Sequence, residues 1–595
     1  MTQEIRQCQN CKNQFAIEPE DFAFYEKINV PPPTFCPECR AVRRFTWRNE
    51  RSLYKRTCNA PGHREEVVSA FSSEKPLTIY DQKYWWSDEW DPLEYGRDYD
   101  FSKPFFLQFR ELLERVPLLT LMSGNAVNTE YANHALDSKN SYLITAAWHS
   151  ENVMYSNRIL NAHDSVDLYL ADRNELCYEN VNVGPCFMVF FSYGCEDCSN
   201  SSFLYDCRNC SNCFGCVGLR NKSYHIFNKP FTKEGYLDEI KKFDLGSYRT
   251  IQEIRKQHDE FILRFPRKYM YSFQIQNVVG DIVGESRNCY QCFDSIHAEN
   301  CKYVMWNGDK LTDSYDSYGT GQAELLYEAV DAGLGVSQKF TVVLWGGHNV
   351  QYCYNCHGSD NLFGCVSLRN KKYCIFNRQY SKEEYEELVP KIIEHMHQVP
   401  YIDNKGRVYK YGEFFPSELS PFAYNETIAQ EYFPLTKEQA LAKGYRWREP
   451  EIRQYTITKK PEDLPDHIKD VSDSILEDVI GCAHGAPPAG GCNHQCTTAF
   501  KIIPQELQFY RRMNLPLPRL CPNCRHYERL KQRNPLKLWH RTCTCTGTQS
   551  ENGAYKNTVA HFHGGAPCPN EFETSYAPER PEIVYCEACY QSEVV

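Results

Sequence analysis

The sequence predicts a mainly β, multidomain protein. Duplicated zinc-ribbon or treble-clef-like modules stand at both ends and flank two tandem β-solenoid (β-helix-like) modules with short capping helices. Three observations carry this prediction. Residues 11–58 align with 496–543 without a gap, with 20 identities in 48 positions. Residues 214–236 recur as 363–385, with 15 identities in 23 positions. The 30 cysteines are largely grouped as CxxC pairs, a spacing that lets two thiols reach one metal ion from a tight turn.

The first module spans 1–97. Its pairs Cys8/Cys11 and Cys36/Cys39 supply the four soft ligands of a closed tetrahedral zinc site, which has no open position and is therefore structural. The copy at 471–595 offers Cys492/Cys496 and Cys521/Cys524. A second site follows there from Cys543, Cys545, Cys568, Cys586 and Cys589, with one of Cys543 and Cys545 redundant. Its first-copy counterpart retains only Cys58, His63 and Asp81 as candidate ligands and reads as lost. Cys482, His484 and His494 are spare ligand types nearby. The cofactor expected is zinc, about three ions for three closed four-ligand sites. The first residues lack the apolar core of a secretory signal, so a cytoplasmic, reducing setting is expected and metal is favoured over disulfides.

Each second pair leads into arginines at helical spacing: Arg40, Arg44 and Arg48, then Arg525, Arg529 and Arg533. Residues four apart share a helix face. A basic face on a zinc module suits phosphate contacts, so nucleic acid, RNA included, is one expected partner; a protein is the other. The alternative is that these arginines pair with the acidic remainder of a chain whose net charge is -11.

Residues 98–124 contain an amphipathic helix, SKPFFLQFRELLERVPL, expected to dock the first zinc module on the solenoid. The solenoid modules are expected at 125–245 and 271–400, joined by a helical connector at 246–270, with an extended linker at 401–470. Ser381 and Glu384 have capping-box spacing. Cys177/Cys198, Cys186/Cys207, Cys195/Cys216 and Cys353/Cys374 are all 21 apart, which reads as one coil of about 21 residues. Two readings of the mid-chain cysteines stay open. They form a thiol ladder in a narrow core, or Cys195, Cys198, Cys207, Cys210, Cys213 and Cys216 hold further metal, with zinc favoured over an iron–sulfur cluster.

The chain has no GxxxxGK[ST], HExxH or GxSxG motif, so no nucleotide, zincin or serine-hydrolase site is nominated. The longest apolar runs fall short of a membrane span. The segments FCPECRAVRRFTWRNERSLYKRTC (35–58), YGRDYDFSKPFFLQF (95–109), FGCVGLRNKSYHIFN (214–228) and PERPEIVYCEACYQSEV (578–594) resemble a cysteine-rich family of uncharacterised proteins from candidate-phyla bacteria. That resemblance implies zinc-ribbon-like modules around a repeat region and implies no activity. The function expected is a zinc-binding, non-enzymatic scaffold that contacts nucleic acid through its basic modules. The alternatives are a β-solenoid carbohydrate-active enzyme and a redox or iron–sulfur protein using the mid-chain cysteines.

Overall fold

The computed structural model describes residues 2–449, 455–485 and 495–594. The chain divides into two compact units. One comprises residues 1–122, 270–448 and 536–538; the other comprises 123–269, 449–535 and 539–595. Each unit combines one solenoid with one terminal cysteine module. The N-terminal module shares a unit with the second solenoid, and the C-terminal module shares a unit with the first. Among the described residues, no helix is long and apolar enough to cross a membrane.

Both solenoids advance in three-residue steps. In the first, Asn157 pairs in parallel with Thr145 and with Tyr169, each twelve residues away. One coil therefore takes twelve residues, not the 21 expected from the cysteine spacing. Every third side chain is buried, as at Ala132, Ala135, Ser138, Ser141, Ile144 and Ala147. Two residues after each of these the backbone is left-handed, as at His134, Asp137, Asn140, Leu143, Ala146 and His149. Four such triplets close one coil. A left-handed conformation costs a residue with a Cβ roughly 1–2 kcal/mol, and Asn and Asp tolerate it best. Asparagines at these positions also bond to the next coil: Asn128 donates to Asn140 (2.8 Å), Asn152 to Asp164 (2.9 Å) and Asn349 to Asn361 (2.9 Å).

The triplet explains the mid-chain cysteines. CxxC marks two consecutive inward positions, and a third cysteine twelve residues after the first lies one coil on, as in Cys195, Cys198 and Cys207. The 21-residue ruler is one coil plus three triplets. The core is narrow, and Cys, Ser, Ala and Val fill it. Cys195 Sγ donates to Tyr193 O (3.3 Å), Cys198 Sγ to Glu196 O (3.3 Å), Cys207 Sγ to Cys216 O (3.5 Å) and Cys210 Sγ to Arg208 O (3.3 Å). Inward serines do the same, as Ser201 Oγ does to Ser199 O (2.7 Å). Burial pushes the Cys177 thiol up to about 12. Each of these sulfurs reaches a backbone carbonyl along the ladder, which favours the core reading over further metal at Cys195, Cys198, Cys207 and Cys210.

The second solenoid keeps the twelve-residue register at Tyr315↔Tyr327 and Leu362↔Cys374, with one short coil (Gln276↔Arg287) and one long coil (Met305↔Tyr318). The duplicated 214–236 and 363–385 motif makes the last coil and its closure. Ser223–Ile226 folds antiparallel onto Lys229–Pro230, and Lys372–Ile375 onto Arg378–Gln379. A helix follows each hairpin, Lys233–Glu239 and Lys382–Gln398. In the second, Ser381 Oγ accepts from Glu384 N (3.2 Å) and Glu384 accepts from Ser381 N (2.8 Å), completing the capping box. The amphipathic helix Phe105–Arg115 lays Phe105 on Tyr352, Phe363 and Phe376 of the second solenoid. Residues 401–448, expected as linker, are packed: Phe414 and Phe415 are fully buried.

The arginine rows lie in two matching helices, Pro37–Phe45 and Pro522–Leu530, and just beyond them. Their guanidinium groups are buried against solenoid carboxylates. Arg40 meets Asp316 (2.9 Å), Arg44 meets Asp316 (2.8 Å) and Glu328 (3.1 Å), and Arg43 bridges Glu328 and Glu413. Arg48 meets Glu50 (2.8 Å) and Asp331 (2.8 Å). Asp316 and Glu328 are both left-handed and stand one coil apart, so the repeat itself stacks the acids. In the other unit, Arg525 and Arg529 each meet Asp167 at 2.6 Å, and Arg525 also meets Glu506 (3.3 Å). Arg40, Arg44, Arg48 and Arg529 are each only 1% exposed. The expectation that these residues present a basic face to phosphate is therefore corrected: Arg40, Arg44, Arg48, Arg525 and Arg529 dock their helices on the solenoids. Arg533, past the end of its helix, is half-buried.

Removing one partner of a buried ion pair leaves an unpaired buried charge. Asp167→Ala removes the carboxylate that Arg529 meets and one of the two that Arg525 meets, so it is expected to destabilise its unit by about 3 kcal/mol, read as a lower denaturation midpoint in urea. A midpoint unchanged from the parent chain would contradict the docking role.

Candidate metal centres

The same local grammar recurs three times. A CxxC places its first cysteine at a helix start and its second in the first turn: Cys36 and Cys39, Cys521 and Cys524, Cys586 and Cys589. Backbone N–H groups and the helix dipole there favour thiolate. A proline follows the first cysteine in the first two cases, where its missing N–H costs nothing.

In the N-terminal site, Cys8 and Cys11 come from the turn between strands Glu4–Gln7 and Gln14–Ile17. They join Cys36 and Cys39 in one group. Cys11 Sγ lies 3.7 Å from Cys36 Sγ. Cys36 N donates to Cys8 Sγ (3.3 Å), and Asn10 Nδ2 donates to Cys39 Sγ (3.2 Å). Hydrogen bonds from Cys36 and Cys39 hold the Cys8 thiol far below its usual range.

The C-terminal counterpart gathers Cys482, Cys496, Cys521 and Cys524. Cys482 follows strand Ile480–Gly481, which pairs with Ala499–Phe500 as the N-terminal strands pair with each other. Cys521 N donates to Cys482 Sγ at 3.3 Å, the same contact as Cys36 to Cys8. Cys496 and Cys521 are 3.9 Å apart. Cys482 thus fills the place that spacing assigned to Cys492; Cys492 and His494 lie outside the described residues. The knuckle that holds two residues between its cysteines at the N-terminus holds thirteen here, which hid Cys482 from a spacing argument.

The third group is Cys543, Cys568, Cys586 and Cys589, all buried. Cys568 Sγ lies 3.8 Å from Cys586 Sγ and 3.7 Å from Cys589 Sγ. Cys586 N donates to Cys543 Sγ (3.2 Å), and a hydrogen bond from Cys543 helps draw the Cys586 thiol down to about 4. Cys545 is not a redundant member of this group. It faces His561 and His563, which sequence reasoning missed; the HxH at 561–563 was the available signal.

These separations fit a metal. The edge of a tetrahedron with Zn–S bonds of 2.3 Å is about 3.8 Å, and the four observed Sγ–Sγ contacts run from 3.7 to 3.9 Å. Several buried four-cysteine groups of this kind can hold metal ions such as zinc.

The first copy's second site is altered rather than dispersed. Cys58, His63, Glu65 and Asp81 still cluster. Asp81 caps helix Gln82–Trp86 in the position that Cys586 takes in the other copy. Cys58 Sγ donates to Asp81 (3.3 Å), and His63 Nδ1 lies 2.8 Å from Glu65 and 3.1 Å from Asp81. Hydrogen bonding to Glu65 raises the pKa of His63, which together with its exposure makes this the most weakly built of the ligand groups.

No family model matches the chain, and no curated protein matches it. Its likeness to the crystal structure of a "putative acetyltransferase" from Desulfovibrio desulfuricans G20 is 11% identity over 49% of this chain and 75% of that one, with a TM-score of 0.09. A superposition that poor carries no argument about fold or activity.

Two substitutions separate ligand thiols from ladder thiols. Cys482→Ser is expected to lower metal content by one ion per chain, measured by elemental analysis. Cys213→Ser is expected to leave it unchanged, and to cost no more than about 1.5 kcal/mol, because serine already occupies the same inward column at Ser201, one coil earlier. Metal loss from Cys213→Ser would return the solenoid thiols to the ligand list.

Proposed function

We propose that this protein is a zinc-braced binding scaffold for protein partners. The observation that carries the reading is the burial of both arginine rows against solenoid carboxylates. A basic zinc module ordinarily offers its guanidinium groups to phosphate. Here those charges are spent on holding each module to a solenoid. The metal centres sit at the N-termini of the same helices, so each metal fixes one end of a helix and the ion pairs fix its face. Zinc in these closed sites supplies folding energy rather than chemistry. What remains for a partner is the long outer surface of the coils, lined by asparagine and aspartate ladders. The chain's overall charge of -11 also disfavours a polyanion as the partner.

The test is titration of the zinc-loaded chain with single-stranded and duplex RNA at low salt. The expected result is no saturable binding at micromolar protein. Tight binding that weakens steeply as salt rises would overturn the protein-partner reading and restore nucleic acid.

A further inference from the structure

Cys589 belongs to two ligand groups at once. One is Cys543, Cys568, Cys586 and Cys589; the other is Cys545, His561, His563 and Cys589. Within each, the ligand atoms lie within 4.8 Å of one another. We infer that this module holds a binuclear zinc centre in which the Cys589 thiolate bridges an ion on four cysteines and an ion on two cysteines and two histidines. The inference rests on the reading of the module as a metal site and extends it.

The two imidazoles are set up as ligands by their far sides. His561 Nε2 bonds to the buried carboxylate of Glu593 (2.8 Å), so that nitrogen carries the proton and Nδ1 presents its lone pair to Cys545 Sγ at 3.3 Å. His563 Nδ1 bonds to the carbonyl of Ala566 (2.7 Å), so Nε2 presents its lone pair to Cys589 Sγ, also at 3.3 Å. A carboxylate or carbonyl on the second nitrogen is the usual way a ligand histidine is oriented. The S–N edge of a tetrahedral zinc site is about 3.5 Å, close to both distances.

Cys545 is prepared in the same way. Gly547 N (3.4 Å) and Asn557 Nδ2 (3.2 Å) both donate to its sulfur, and Tyr585 OH fixes Asn557 from behind (2.8 Å). Two N–H donors on one sulfur suit a thiolate. Cys545 is 1% exposed and Cys589 is fully buried.

Charge favours sharing. One zinc on four thiolates leaves a net charge of two minus in a buried site. Adding a second zinc with one further thiolate and two neutral imidazoles brings the pair to one minus. Less uncompensated charge stays buried, which lowers the desolvation penalty.

The experiment is native mass spectrometry of the full zinc-loaded chain, with Cys545→Ser, His561→Ala and Cys586→Ser compared with the parent. Cys545→Ser and His561→Ala are each expected to carry one zinc fewer. An unchanged count in both, with zinc still lost from Cys586→Ser, overturns the second ion while leaving the four-cysteine site standing. An unchanged count in Cys586→Ser as well overturns the metal module itself. The unsubstituted chain loaded with cadmium-113 gives a check that needs no variant. Two resonances split by mutual coupling through Cys589 are expected. Resonances with no such coupling overturn the bridge.

Discussion

A buried guanidinium is costly unless its charge is paired, and two rows of guanidinium–carboxylate pairs set the architecture of this protein. Asp316, Glu328 and Asp331 receive Arg40, Arg43, Arg44 and Arg48 in one unit; Asp167 and Glu506 receive Arg525 and Arg529 in the other. Burying such pairs returns little net stability. What they provide is specificity. A helix shifted by one turn would leave several charges unpaired, so its register on the solenoid is fixed to the residue.

The solenoid can present those acids because of its backbone. A left-handed residue at every third position turns the chain, and side chains at that position stack from coil to coil. The position tolerates Asn and Asp better than other residues. Many of these sites therefore carry asparagine ladders, and where an arginine helix lies against the coil they carry Asp or Glu instead. Asp167, Asp316, Glu328 and Asp331 are all left-handed. The cysteine modules complete the arrangement: Cys36 and Cys521 stand at the N-caps of the two arginine helices, so each candidate metal centre and each ion-pair row lie on the same few turns.

Much of this was legible in the sequence, and the gaps have physical causes. The pairs Cys8/Cys11, Cys36/Cys39 and Cys521/Cys524 are local, so spacing alone identified them. Cys482 escaped because thirteen residues separate it from Cys496, and only the pairing of Ile480–Gly481 with Ala499–Phe500 brings it in. The helical spacing of Arg40, Arg44 and Arg48 showed that they share a face. Nothing local says whether that face meets water or a distant carboxylate, and Asp316 lies 272 residues beyond Arg44. The coil length was present at Cys289/Cys301 and Cys353/Cys365, each twelve apart. It was obscured because seven triplets also make 21, and inward cysteines recur at any multiple of three. The same triplet makes a core ladder look like a row of zinc knuckles.

The central claim is that metal and ion pairs together hold each arginine helix on its solenoid. Hydrogen–deuterium exchange of the zinc-loaded and chelated chain tests it most directly. The account predicts that chelation exposes the amides of Pro37–Phe45 and Pro522–Leu530 by at least tenfold in exchange rate, while the coils around Cys195–Cys216 and Leu344–Cys374 stay protected, as a thiol ladder bonded to backbone carbonyls should. Complete zinc release with both helices still protected, or a solenoid core that opens along with them, would contradict it.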